Sequence, residues 1–226
     1  MTDPTDERVA DWLVGRTDAR VLHLGDGPLA YTLADRGHEV VVVGEDAQVA
    51  RRDDLLYVRA AGERLPFVSS SFDVVLAPTL DDSNTALGEY ARVLRTGGLL
   101  SSVYRAHDET VPWMRKLRAL LGPTGAVRDT SPALVASGLF ETPETERFAV
   151  WDELDLDGLL RFAREQSARG LTLTLDSQVR RLFAEYAIGA ATLRLRREVR
   201  AIRALVDKSA LPIDDPPDGT VLFEFH

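Results

Sequence analysis

Over its first hundred residues the chain alternates short apolar runs with segments whose apolar positions recur every three or four residues. "RVLHL", "EVVVV", "LLYVR", "FDVVLA" and "GLLSSVY" are short, rich in branched residues and apolar on both faces, as buried strands are. Between them, Leu29 to Arg36 reads as a crossover helix. Ser83 to Arg95 reads as a second, with Leu87, Tyr90, Ala91 and Leu94 on one face. "RTGGLL" then closes that helix with glycine and opens a strand. Strand and helix in alternation predict an α/β fold, a parallel sheet covered by helices on both faces.

Beyond Arg105 the pattern becomes mostly helical, interrupted by Pro112, Pro123, Pro132 and Pro143, with "ERFAVW" as the clear strand. Leu195, Val199, Ile202 and Val206 recur at helical spacing, which predicts a surface helix with its arginines turned outward. The tail runs through "LPIDDPPDG" into "TVLFEFH", whose alternation fits a final strand, antiparallel near a sheet edge. No repeat and no long linker divides the chain. The expectation is one domain over 1–226, its core formed by 1–105, 145–151 and 219–226, with helical cap insertions at 106–144 and 152–210.

Composition narrows the chemistry. The absence of cysteine among 226 residues excludes disulfides, thiolate nucleophiles and cysteine-ligated metals. A formal charge of -9 disfavours broad contact with nucleic acid or an anionic membrane surface. Ser177 to Lys208 nevertheless holds eight basic and three acidic side chains, so the deficit lies elsewhere in the chain. No apolar stretch reaches the roughly 18 residues a membrane span needs, and Met1 to Arg20 lacks the basic start and apolar run of a secretion signal. A cytoplasmic location is expected. Four scattered histidines make no case for a metal.

The most informative stretch is "VLHLGDGPLAYTLADRGHEVVVVGEDAQ". Gly25, Gly27 and Ala30 satisfy G-x-G-x-x-[GA] directly after a strand, and Glu45 lies near the end of the next, where a ribose-binding acid belongs. Such a turn brings bare backbone and a helix's amide end against a nucleotide. NAD satisfies that pattern, as do other nucleotide cofactors, and a tight strand-to-helix turn alone would also produce it. Asp26 either faces a ligand's positive charge or bonds its own backbone as a turn residue.

Two further segments, "ERLPFVSSSFDVVLA" and "ALGEYARVLRTGGLL", follow the glycine turn in order. Together the three resemble the class I S-adenosylmethionine-dependent methyltransferases, in particular the small-molecule group related to ubiquinone and menaquinone biosynthesis. "VYRAHDETVPWMRKL", "LFETPETERFAVW" and "LDLDGLL" resemble the helical cap of that group. The resemblance covers about residues 20 to 160. It implies a Rossmann-like doubly wound, mostly parallel seven-stranded sheet with helical cap insertions, S-adenosylmethionine as cofactor and a small-molecule methyl acceptor. With the net charge and the lack of an apolar span, no nucleic-acid or membrane partner is expected, and a homodimer is compatible with this reading.

Carried over residue by residue, the family's cofactor motif is altered here. His23 stands where the first strand ends in an acid, Gly25 and Gly27 keep the first two glycines, and Leu29 replaces the third. Gly44 aligns with the ribose-binding acid, with Glu45 and Asp46 just beyond. Ala61, with Gly62 beside it, takes the place of the acid that meets the adenine. Pro78 occupies the stretch that passes the transferred methyl group. Loss of two such contacts corresponds to a weakening of roughly tens- to thousands-fold, at about 1.5 to 3 kcal/mol for each bond to a charged group. These departures also fit a catalytically silent relative that serves as a binding or assembly module. His107 and Asp108, just past the fifth strand, are either a substrate-side acid-base pair or an exposed loop. Tyr31 and Trp113 either line the acceptor pocket or pack in a core.

Overall fold

The computed structural model describes residues 4–25, 27–44, 52–107, 110–122, 129–167 and 172–210. The chain divides into two compact units. The first comprises Met1–Tyr104, Asp129–Glu146 and Arg200–His226, the second Arg105–Arg128 and Arg147–Val199.

The first unit is built on strands β1 (Arg20–Leu24), β2 (Glu39–Gly44), β3 (Leu56–Arg59) and β4 (Phe72–Ala77), followed by β5 (Leu94–His107). β1 lies between β2 and β4 and is parallel to both; β3 pairs parallel with β2, and β5 with β4. With β6 (Glu144–Leu154) and β7 (Leu193–Leu205), the order across the seven-stranded sheet is β3-β2-β1-β4-β5-β7-β6. This is the Rossmann-like, mostly parallel arrangement expected. Its cause is visible in β2 and β4, whose Val40 to Val43 and Phe72 to Ala77 are buried on both faces. Strands of that composition need a cover on each side.

Helix α1 (Pro4–Val14), which the sequence reading did not assign, buries Val9, Ala10, Leu13 and Val14 along one stripe. α2 (Pro28–Asp35) is the β1–β2 crossover, with Pro28 in the first turn, where its missing N–H costs nothing. α3 (Asn84–Val93) begins at Ser83, whose hydroxyl accepts from the Ala86 amide, and buries Ala86, Leu87, Tyr90, Ala91 and Val93. It ends earlier than the expected Arg95, because Leu94 is already extended and opens β5. Lys208 Nζ donates to the carbonyls of Ala91 and Arg92 at 2.7 and 3.1 Å and so closes the helix's negative end. "RTGG" lies inside β5 as an irregularity, where pairing moves from Phe72–Leu94 to Val74–Leu99. Gly97 has φ 73°, the left-handed region that glycine enters without strain. At the start of β4, Asp73 accepts from the Arg20 amide at 2.8 Å and from Arg16 at 3.1 Å, fixing β4 against β1. The core between sheet and helices includes Leu22, Val41, Val75, Leu87 and Leu100, with Phe67 and Phe72 edge to face at 5.0 Å.

The second unit contains α4 (Pro112–Leu121), α6 (Leu156–Gln166) and α7 (Leu173–Tyr186), packed around Trp113, Leu117, Leu159, Val179, Leu182 and Leu195. α5 (Ser131–Ser137) belongs to the first unit. One expectation is overturned. The stretch read as a helix through Val206 is helical only to Tyr186, and Leu193–Leu205 is strand β7. Leu195 and Val199 are four apart, a spacing that suits a helical turn and two pleats of a strand equally. The buried set Leu193, Leu195, Val199 and Ala201 follows the pleat. The proposed final strand at 220–226 lies outside the described residues, as do the sections of the expected core that it forms.

Candidate functional site

β1 ends in a turn held by one bond to β2 and one within the turn. The Gly25 amide donates to the Val43 carbonyl at 2.6 Å, and His23 Nδ1 lies 2.6 Å from the Gly25 carbonyl oxygen. Gly25 has φ 83°, where a side chain is strained. Gly27 is extended and caps α2. A Cβ added to Gly25 or to Gly27 would meet no heavy atom of the described residues within 4 Å, so the space above the turn is open among them.

That space continues into a cavity of about 370 Å³. Leu24 and Gly25 after β1, Val43 and Gly44 at the end of β2, Ala60 and Gly62 after β3, and Pro78 and Thr79 after β4 contribute its walls. All are at carboxyl ends of parallel strands. β1 is where the strand order reverses, with β2 to one side and β4 to the other, the position at which open α/β sheets take ligands. Asp81 and Tyr90 complete the lining. Burial pushes the Tyr90 phenol up to about 12, helped by the carboxylates of Asp81 and Glu63.

α3 positions the wall that follows β3. Glu89 Oε2 accepts from the Leu65 amide at 2.8 Å, while Arg92 donates to the carbonyls of Phe67 and Leu65 at 2.7 and 3.0 Å. The two side chains pair with each other at 2.8 Å. One ion pair on α3 thereby holds the "LPF" segment in place. The spacing of Glu89 and Arg92 in "GEYARVL" is what allows it, since residues three apart share a helix face.

The sequence-derived site residues fall in several places. Gly25, Gly62 and Pro78 are brought together at the cavity. His23 is 1% exposed and lies beneath the turn, outside the lining, and Gly27 begins α2 beside it. Ala61 is exposed, between two lining residues but not itself one. Asp26, Glu45, Asp46 and Asp108 lie outside the described residues, and His107 is described only as the last residue of β5. Tyr31 sits on α2 under the Arg52 guanidinium, 5.6 Å from ring centre to charge, and does not line the cavity. Trp113 is 4% exposed in the core of the second unit. His38, read as part of a surface turn, is 9% exposed and accepts a hydrogen bond from the Ala19 amide through Nδ1. Tyr90 and Asp81 were not singled out for the site. Tyr90 carries the apolar signature of a core-facing helix position, which says that it points inward and nothing about what its hydroxyl meets. Among the described residues no helix is long and apolar enough to cross a membrane, and no three metal-binding side chains cluster.

Comparison with known proteins agrees with this geometry. Residues 22–102 match the methyltransferase domain family. The chain is 35% identical over 130 residues to an uncharacterized methyltransferase of Mycobacterium tuberculosis, covering 53% of this chain and 54% of that protein. It is 36% identical over 116 residues to the demethylmenaquinone methyltransferase of Beutenbergia cavernae, covering 46% of each. The chain thus spans about half the length of the curated relatives it matches. In fold it is similar to the crystal structure of the YcgJ protein from Bacillus subtilis, with a TM-score of 0.56, 15% identity and coverage of 88% of this chain and 97% of that one. Its sheet topology and its coverage of solved structures show the Rossmann-like fold of methyltransferases, and residues 22–102 are similar to the methyltransferase domain family.

Proposed function

We propose that the chain is a methyltransferase that binds S-adenosylmethionine in the cavity at the carboxyl ends of β1 to β4 and methylates a small molecule. The observation that carries this reading is the open space over Gly25 and Gly27. Bare backbone there admits a ligand that any side chain would displace, and at Gly25 that space is continuous with walls at the topological switch point. Leu24, Val43, Ala60 and Pro78 supply apolar surface for a flat ring and keep water from it. The start of α2, capped by Gly27 without a side chain, offers its amide end to an anionic group such as the cofactor's carboxylate.

The bound sulfonium supplies the methyl group by in-line displacement. That reaction is accelerated mainly by holding donor and acceptor in line, so the chain's task is positioning, and a dedicated base is not required. Similarity to the demethylmenaquinone methyltransferase, with the sequence motifs, supports an acceptor of the kind handled by quinone-biosynthesis enzymes. Nucleic acid is disfavoured as a partner by the net charge of -9.

Calorimetric titration with S-adenosylmethionine, S-adenosylhomocysteine and NAD tests the proposal. Micromolar binding of the first two, without NAD, is expected. Binding of none of the three would instead favour a silent member of the family acting as a binding or assembly module.

A further inference from the structure

Tyr90 and Gly62 meet at the cavity in a way that neither residue explains alone. A Cβ on Gly62 would stand 2.8 Å from the Tyr90 hydroxyl oxygen, nearer than real side-chain contacts come, and 3.6 Å from the ring carbon that bears it. The bare backbone at Gly62 is therefore what gives the hydroxyl its place. Tyr90 is 1% exposed and yet lines the cavity. Among the described residues no hydrogen bond engages its hydroxyl. With its pKa at about 12, the group remains a neutral O–H donor at any working pH. Leu24, Val43, Ala60 and Pro78 form the apolar part of the walls, with Thr79 and Asp81 beside them.

A buried hydroxyl that no described residue engages requires an acceptor. A carboxylate in the same cavity is better served by the amide end of α2. What suits an apolar wall with one buried neutral donor is a flat heteroaromatic ring carrying an acceptor nitrogen. In S-adenosylmethionine the group of that description is the adenine.

Resting on the reading that the cavity takes this cofactor, we propose that the Tyr90 hydroxyl, given room by Gly62, donates a hydrogen bond to one ring nitrogen of the adenine. Tyr90 is then a binding residue that sets base specificity.

The test is calorimetric, on the full chain and its Tyr90→Phe variant, with S-adenosylhomocysteine and its 1-deaza, 3-deaza and 7-deaza adenine analogues. Tyr90→Phe is expected to weaken S-adenosylhomocysteine binding about five- to tenfold, the scale of one neutral hydrogen bond. One deaza analogue should bind the unaltered protein weaker by the same factor and bind both proteins equally. A purely structural role would weaken all four ligands alike, and that result overturns the assignment. Equal affinity of both proteins for S-adenosylhomocysteine also overturns it while leaving the cofactor reading intact. No binding of any of the four by the unaltered protein removes both. Gly62→Ala gives a second route: it should weaken binding in the unaltered protein, where the methyl group displaces the hydroxyl. It should change little further in the Tyr90→Phe background. Equal losses in both backgrounds would contradict the proposal.

Discussion

His23 Nδ1 and the carbonyl oxygen of Gly25 lie 2.6 Å apart, one residue between them. A carbonyl can only accept, so Nδ1 carries the proton and the ring donates. The imidazole thus pins the turn from below, at the position where the family resemblance implies an acid. His23→Ala removes a buried hydrogen bond and leaves a void, and is expected to cost about 2 to 4 kcal/mol. A lowered urea midpoint and weaker S-adenosylhomocysteine binding should appear together, since the turn forms one wall of the cavity.

Gly25 is a second point of sensitivity. At φ 83° any side chain is strained by about 1 to 2 kcal/mol, and its Cβ would enter open space rather than packed protein. Gly25→Ala should lower stability by that modest amount. Gly25→Val, by filling the space, should in addition reduce cofactor affinity at least tenfold in the same titration. Gly27→Val is expected to block binding with little strain, because position 27 is extended.

The Glu89–Arg92 pair should behave as a clamp. Arg92→Ala deletes the bonds to Leu65 and Phe67 and leaves Glu89 part-buried beside an empty position, with an expected loss of about 2 to 3 kcal/mol in denaturant unfolding. Arg92→Lys should recover only part of this, because a single ammonium cannot reproduce a planar guanidinium that meets two carbonyls and a carboxylate.

His38 gives the fold a pH dependence. Burial lowers its pKa below the ordinary 6.5, with the Arg36 charge acting in the same direction. The folded protein therefore holds neutral His38, while the unfolded chain takes up a proton as pH falls past 6.5. The contribution is complete above that value and is lost on acidification through the lower, folded value. Urea midpoints should decline between pH 7 and 5.5. His38→Asn, which keeps an acceptor for the Ala19 amide without titrating, should flatten that decline.

The sheet's core was legible because Val40 to Val43 and Phe72 to Ala77 are apolar on both faces, which few other structures tolerate. β7 was not, for two reasons. Leu195 and Val199 satisfy both periods, and beyond Ala201 the buried positions shift to Ile202, Ala204 and Val206, so neither period runs unbroken. α1 escaped notice because its apolar stripe is only four residues long, among charged neighbours. In the site, Gly25, Gly62 and Pro78 were legible from motif order, since backbone geometry leaves its mark as glycine and proline. Tyr90 was not, because its role depends on approach to Gly62 from a different element, and helical spacing reports only that a residue faces inward. His23 was legible as a departure from the motif, but its bond to Gly25 required coordinates.

On the proposed function, the open space over Gly25 receives an adenosyl group. A crystal structure of the protein grown with S-adenosylhomocysteine tests it most directly. Ligand density bounded by Gly25, Gly44, Gly62 and Pro78 is expected. Density placed elsewhere, or that hollow filled by the chain's own side chains, would contradict it.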